Sequence, residues 1–215
     1  MYNFKDNYFS NEYNRYCELR NKGLKKQSNK VLEELMLYFD GLNEDTKKEI
    51  CTEFCVLRFE KNKIEDFNFF LSKRILEFLE HACIQNQMPH LRWYYQLTND
   101  RERLKKAYQH IECDEKTVYF TFDCLMSDLY WGAHHFPKCC LFEETVIHRL
   151  LVESQNFIEK HTVSKEQKEE YLYYKALYND WWTYQSGNFD CSFDEWCINQ
   201  NRDYKWLITV YYKSK

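Results

Sequence analysis

Residues 88–112 read MPHLRWYYQLTNDRERLKKAYQHIE, and they decide the fold more clearly than any other stretch of this sequence. Apolar side chains at helical spacing lie on both sides of the short connection Thr98-Asn99-Asp100. A connection this short joins antiparallel helices, and aspartate is a preferred residue at the N-cap of a helix. The stretch therefore predicts a tight helical hairpin, with Pro89 ending or restarting the helix before it.

Glycine and proline are scarce along the rest of the chain, with 4 Gly and 2 Pro in 215 residues. Sheets joined by tight turns need glycine in left-handed conformations, so this scarcity favours long helices with short polar connections. Apolar stripes at helical spacing continue outward from the hairpin and predict about ten helices in all. We expect an all-α fold, either a solenoid of antiparallel hairpins or a compact irregular bundle. A single domain over residues 1–215 is expected, with a sub-division near residue 88.

Helix starts are marked by residues that cap the first backbone N–H groups. Asn43 is one, and the sequences Ser164-x-x-Gln167 and Ser192-x-x-Glu195 both fit the capping box, in which two side chains cap reciprocally. A last helix is predicted from about Asp203. Because a cap is a local feature of the chain, these positions are expected to be helix boundaries.

The hairpin over 88–112, with its small residue Ala107, resembles the helical hairpins of tetratricopeptide-like repeats. The chain departs from that family elsewhere, because the characteristic Trp, Gly, Tyr and Pro positions of the repeat are not matched. In layout, size and acidic balance the chain is similar to small all-helical bacterial immunity proteins. That resemblance implies a binding protein that neutralises a basic toxin or effector by occlusion, and complementary charge would speed the encounter. The carboxylates expected to meet such a partner are Glu65, Asp66, Glu143, Glu144, Glu169 and Glu170.

Three aromatic segments are the strongest candidates for a protein-binding surface. Neighbouring residues on a helix point about 100° apart, so consecutive aromatic side chains cannot all face one core. Trp, Tyr and Arg are also the residues that dominate binding at protein interfaces. The alternative is that inner helices are buried on several sides. The predicted partner-binding residues are Arg92, Trp93, Tyr94, Tyr95, Trp181, Trp182 and Tyr184.

An enzymatic alternative comes from two arginine–histidine pairs, Arg74-x6-His81 and Arg103-x6-His110. They resemble the Arg-x4-6-His element of helical HEPN-type ribonucleases. The resemblance implies that the histidine acts as acid or base while the arginine holds phosphate. The residue after each arginine is apolar, which departs from the polar residue of that family. No phosphate-binding glycine loop and no nucleophile elbow accompanies these pairs, so an interaction protein is the main hypothesis and an enzyme the alternative.

A metal site is a further alternative at His134, His135, Cys139 and Cys140, with Cys124 nearby. Imidazole and thiolate are the ligands that zinc prefers. The spacing H-H-x3-C-C differs from the paired spacings of zinc sites, and free cysteines are commonly buried as small apolar residues. We therefore expect no metal and no cofactor, and keep a zinc-stabilised loop as the alternative.

Net charge and hydropathy indicate which partners to expect. The net charge is −4, and the basic cluster at Lys22–Lys26 is short, so no nucleic-acid partner is expected. No apolar run approaches the roughly 18 residues of a membrane span, and the first residues lack the layout of a signal peptide. Ten cysteines without such a signal favour reduced thiols and a cytoplasmic location. The bias toward Lys, Asn, Tyr and Phe is typical of bacterial or phage genomes poor in G and C.

Overall fold

The computed structural model describes residues 2–64 and 68–206 of the chain. Within these residues it forms ten α-helices and no strand, which confirms the all-α prediction. A π-helical turn, Val56–Glu60, continues the third helix. The helices are α1 (Asn7–Asn21), α2 (Lys25–Gly41), α3 (Glu44–Cys55), α4 (Phe69–Ile84), α5 (His90–Thr98), α6 (Arg101–Gln109), α7 (Glu115–Ala133), α8 (Glu144–Lys160), α9 (Lys165–Ser186) and α10 (Phe193–Asn199).

The chain divides into two compact units, Met1–Glu112 and Cys113–Lys215. The first contains α1 to α6, and the second contains α7 to α10. Residue 88, near which a sub-division was expected, lies within the first unit. Whether the chain unfolds as one domain stays a prediction.

The first unit is built around an aromatic core. The Phe54 ring lies 5.8 Å from Phe9 and 4.9 Å from Tyr13, and both contacts are edge-to-face. Such pairs contribute roughly 0.5–1.5 kcal/mol beyond the area they bury. Leu71, Ile75 and their helical neighbours on α4 close the same core. Leu71, Ile75 and Leu79, at helical spacing, are therefore the buried face of α4, whereas Phe70 is exposed.

The second unit packs α7 against α8 and α9, and α9 also contacts α10. Gly132 in α7 lies in close contact with side chains of α8 and α9. A Cβ atom added there would collide with the Tyr178 hydroxyl and lie 2.8 Å from Cδ1 of Ile147. α7 runs through Gly132 and ends at Ala133.

The predicted helix starts are confirmed at the residues that cap them. The Asn43 side chain accepts a hydrogen bond from the Thr46 N–H, and Asp100 accepts from the N–H groups of Glu102 and Arg103. Both serine capping boxes are also formed, at Ser164 with Gln167 and at Ser192 with Glu195. The hairpin over 88–112 is present, because α5 and α6 pack together across the predicted connection.

The final helix predicted from about Asp203 does not begin there. Residues 202–206 have no regular secondary structure. The remainder of that predicted helix, from Leu207 onward, lies outside the described residues.

Candidate functional site

Arg92 and Trp93, predicted to bind a partner, lie in the interior of the first unit, each only 2% exposed. Both reach the same carboxylate oxygen. Oε1 of Glu60 lies 2.6 Å from Nη2 of Arg92 and 2.6 Å from Nε1 of Trp93. The Gln96 side chain accepts a further bond from Arg92 at 2.9 Å. The predicted surface position is wrong for these two residues, because their polar groups meet a carboxylate on the π-helical turn.

Tyr94 and Tyr95, the other two predicted residues of α5, are partly exposed. The Arg103 guanidinium lies 5.6 Å from the centre of the Tyr94 ring, a cation–π contact between the two helices of the hairpin. Nε of Arg103 is also 3.9 Å from Oδ2 of Asp100. Tyr94 and Arg103 therefore stabilise the hairpin, whatever else they contact.

The aromatic residues of α9 divide into buried and partly exposed members. Trp181 is buried, stacked 4.7 Å from Phe136, so its predicted surface position is also wrong. Tyr184 is partly exposed, and its hydroxyl donates to the Cys191 carbonyl at 2.8 Å. Trp182 is also partly exposed, and its ring contacts His148 of α8.

Trp182 stacks on His148 of α8, with ring centroids 4.0 Å apart and planes 16° from parallel. Nε2 of His148 lies 3.2 Å from Oε1 of Glu144, one turn earlier on the same helix. The side chains of Glu144 and His148 are 65% and 56% exposed. Glu143, also exposed, precedes α8 directly. These four residues, Glu143, Glu144, His148 and Trp182, form what we call the α8–α9 surface.

Charge is distributed unevenly between the two units. Residues 113–215 carry 11 Lys and Arg against 16 Asp and Glu, a net charge of −5. Residues 1–112 carry 19 against 18, a net charge of +1. The acidic balance of the chain therefore belongs to the unit that contains the α8–α9 surface. Glu169 and Glu170 of the same unit are exposed as well, whereas Glu65 and Asp66 lie outside the described residues.

Arg74 and His81, the first arginine–histidine pair, line one cleft of about 640 Å³ between α3 and α4. The Arg74 guanidinium already binds the Asp40 carboxylate, because its Nε lies 2.8 Å from Oδ1 and its Nη2 contacts the other carboxylate oxygen. His81 is exposed, and in the described part of the chain it forms no ion pair with Glu77.

The walls of this α3–α4 cleft carry no excess of positive charge. Three basic side chains, Lys47, Lys48 and Arg74, face three acidic ones from the same lining, and Lys47 is 3.0 Å from Glu44. Cys51 lies buried in the lining, and its burial raises the pKa of the thiol to about 12. A thiol with such a pKa is protonated and unreactive at neutral pH.

Arg103 and His110, the second pair, lie at opposite ends of α6. Arg103 is in the first turn of α6, and His110 is the residue that follows the helix. Nδ1 of His110 accepts a hydrogen bond from the backbone N–H of Glu112, two residues along the chain, at 3.1 Å. Two helical turns separate the two residues, a rise of about 10 Å.

The predicted metal alternative is not assembled by the loop after α7. Across residues 2–64 and 68–206, no three side chains of His, Cys, Asp or Glu are grouped so that they could hold a metal ion. The His134 ring lies 4.8 Å from the Trp131 ring, and the Cys140 thiol is 3.4 Å from the Gly132 carbonyl oxygen. Burial raises the pKa of Cys140 above its usual value. Cys139, by contrast, is exposed.

Comparison with known protein families, curated proteins and solved structures finds no match to this chain. The resemblances to tetratricopeptide-like hairpins, immunity proteins and HEPN-type ribonucleases therefore remain expectations. Among the described residues, no helix is both long and apolar enough to cross a membrane.

Proposed function

We propose that this chain is a protein-interaction module that binds a basic partner protein through the α8–α9 surface, in the manner of an immunity or antitoxin protein. The observation that supports it is the net charge of −5 on the unit that contains this surface. Complementary charge raises the rate of encounter between proteins and disfavours partners of the wrong sign.

The composition of the α8–α9 surface fits such a role. Trp182 is held in one orientation by its stack on His148, so little side-chain freedom would be lost on binding. Tryptophan is among the residues that contribute most to binding at interfaces. Carboxylates at the rim of an interface favour partners that carry positive charge there. Glu144, whose carboxylate lies 3.2 Å from the His148 ring nitrogen, and the preceding Glu143 are both exposed.

The test is capture of the partner from an extract of the source cells by the immobilised chain, at low and at high salt. We expect one stoichiometric basic protein, bound more weakly as salt rises because exposed charges are screened. The double substitution Glu143→Lys and Glu144→Lys should abolish capture, and Trp182→Ala should weaken it.

A matched control makes the same change of charge in the first unit. Glu18 and Glu33 are both exposed, and Glu18→Lys with Glu33→Lys adds the same positive charge away from the α8–α9 surface. Capture should survive in this control. Equal capture by both double variants would refute the proposed surface, and capture of an acidic protein or of none would refute the basic partner.

A second candidate function is RNA cleavage in the α3–α4 cleft. It is favoured by the one observation that Arg74 and His81 line the same cleft. In such a reaction His81 would act as general acid or base, and Arg74 would have to exchange its contact with Asp40 for phosphate. The balanced charge of the lining offers no general attraction for RNA.

Incubation of the purified chain with a labelled single-stranded RNA tests this candidate. If the cleft is the site, His81→Ala should abolish cleavage while His110→Ala leaves it unchanged. Activity that is equal in all three proteins would come from a contaminating nuclease and would eliminate the candidate.

A further inference from the structure

A cavity of about 460 Å³ in the second unit has walls that are mostly aromatic. Tyr130 of α7 and Phe136 of the following loop line one part of it, and Tyr173 and Tyr174 of α9 line another. Trp206 also contributes to the lining. The volume is within the range of small-molecule sites, which are about 300–1,000 Å³.

The aromatic walls are held by contacts outside the cavity. The buried side chain of Asp180 accepts a hydrogen bond from the Tyr204 hydroxyl at 2.5 Å. The Tyr204 ring then packs 5.6 Å from Tyr173 and 6.0 Å from Trp206. The Lys205 N–H lies 3.2 Å from the Tyr173 hydroxyl oxygen. The segment after α10 is therefore fastened to α9, and Trp206 is positioned beside the cavity.

One carboxylate, Glu170, lies in the same lining. It precedes Tyr173 and Tyr174 by one helical turn, so the three residues share one face of α9. Burial and the nearby charge of Asp123 raise the pKa of Glu170. In the part of the chain that the structure describes, no ion pair neutralises this carboxylate. Glu170 and the basic residue of the lining, Lys205, are both exposed, so each charged group also contacts water.

From this combination we infer that the aromatic cavity binds a quaternary or methylated ammonium group, held by cation–π contacts with Tyr130, Tyr173, Tyr174 and Trp206 and by the charge of Glu170. The faces of aromatic rings carry negative charge density and attract a cation that lies within about 6 Å of the ring centre. Several such rings around one space are typical of sites for choline-like groups and methylated lysine. This inference does not depend on the proposed function.

Methylation of the ligand is expected to favour binding. An unmethylated ammonium group is compact and strongly hydrated, so its transfer from water into an aromatic cavity is costly. Methyl groups weaken that hydration and add apolar contact with the rings. A neutral group of the same shape would gain the apolar contact but neither the cation–π attraction nor the attraction of Glu170.

Calorimetric titration of the full chain with choline, compared with its uncharged isostere 3,3-dimethyl-1-butanol, tests the inference at matched ionic strength. We expect heat of binding and local amide shifts in NMR spectra with choline, and several-fold weaker binding of the isostere. A peptide that carries trimethyllysine is compared with the same peptide unmodified. This comparison tests whether the natural ligand is a methylated lysine side chain or a free quaternary ammonium compound such as choline. Binding of choline or of the trimethylated peptide supports the site, and the tighter of the two identifies the source.

Substitutions then locate the binding. Trp206→Leu and Tyr173→Leu should each lower the association constant for choline by about three- to tenfold, as expected for the loss of one cation–π contact. Tyr173→Phe keeps the ring but removes the hydroxyl that accepts a hydrogen bond from the Lys205 N–H, so it should bind more tightly than Tyr173→Leu and more weakly than the original chain. Glu170→Gln should weaken binding of choline but leave the neutral isostere unaffected. Tyr119→Leu is the control, because Tyr119 is exposed in the same unit but does not line the cavity.

Two results would overturn the inference. One is equal affinity for choline and its neutral isostere, which would indicate an apolar pocket without preference for a cation. The other is the absence of heat and of amide shifts at about 10 mM of either choline or the trimethylated peptide, a concentration at which even millimolar binding is detected. Circular dichroism of each variant establishes that it is folded before its affinity is compared.

Discussion

At the scale of single residues, His90 is expected to make the stability of the chain depend on pH. Its ring lies 5.4 Å from Phe78 and 5.1 Å from Trp93, and its buried Nδ1 has no hydrogen-bond partner in the described structure. Burial lowers the pKa of His90, so the folded chain holds the neutral imidazole. The unfolded chain binds a proton below about pH 6.5, the ordinary pKa of histidine.

The free energy of unfolding should therefore fall as the pH drops below about 6.5, by at most about 1.4 kcal/mol per pH unit from this residue, until the lowered pKa is reached. Replacement by a ring that does not titrate, His90→Phe, should flatten the dependence. Urea denaturation of both proteins at several pH values gives the free energy of unfolding as a function of pH. The range from pH 5 to pH 8 extends about one and a half units on either side of the ordinary histidine pKa. If the free energy of unfolding depends on pH in the same way in both proteins, the pKa of His90 is not lowered in the folded state.

Glu60 provides a second prediction at this scale, because it lies between two buried donors. Glu60→Ala removes the carboxylate that contacts Arg92 and Trp93 at 2.6 Å. Loss of one partner of a buried charge pair costs about 3–5 kcal/mol, and we expect the lower end since the Glu60 side chain is 28% exposed. Combining Glu60→Leu with Arg92→Met should restore much of the loss in a urea denaturation measurement. A double variant no more stable than Glu60→Ala would contradict this account.

At the scale of helices, two glycines that look alike in the sequence should respond in opposite ways to alanine. Gly132→Ala places a methyl group against Tyr178 and Ile147 where three helices meet, and overpacking costs about 1–3 kcal/mol. Gly41→Ala is the matched control. No atom lies within 4 Å of its added Cβ, and alanine in a helix is favoured over glycine by up to about 1 kcal/mol. Thermal unfolding of both variants tests the pair, and stabilisation by Gly132→Ala would show that α8 and α9 can move apart.

The helix boundaries also show how far sequence reasoning extends. Asn43, Asp100, Ser164 and Ser192 were identified correctly because a cap depends on residues within one turn of it. The burial of Arg92, Trp93 and Trp181 could not be predicted in this way. It depends on residues distant in the chain, as the contact between Arg92 and Glu60 illustrates across 32 positions. The aromatic cavity was missed for the same reason, since Tyr130, Tyr173 and Trp206 come from separate segments.

At the scale of the whole chain, the net charge is −4, and acidic and basic residues alternate along the sequence without a clear block of either sign. The difference between +1 and −5 becomes visible once the boundary between the two units is known. That boundary has no glycine or proline to mark it. It lies between the end of α6 at Gln109 and the start of α7 at Glu115, where Asp114 caps α7.

The division into units leads to a last prediction, that residues 1–112 fold without the rest of the chain. The aromatic cluster that extends from Phe4 to Trp93 lies wholly inside this unit, so removing residues 113–215 takes away none of its members. The cut also falls in a non-helical connection, which leaves α6 intact. A core of this size in about 110 residues is sufficient for an independent domain.

Circular dichroism and urea denaturation of residues 1–112 and of residues 113–215, each compared with the full chain, provide the measurement. We expect the first fragment to be helical and to unfold cooperatively, and the full chain to deviate from a single two-state transition. If instead both fragments are unfolded while the full chain unfolds in one step, the chain is the single domain that the sequence predicted. In that case the compact units are parts of one cooperative core, because neither buries enough apolar surface to be stable alone.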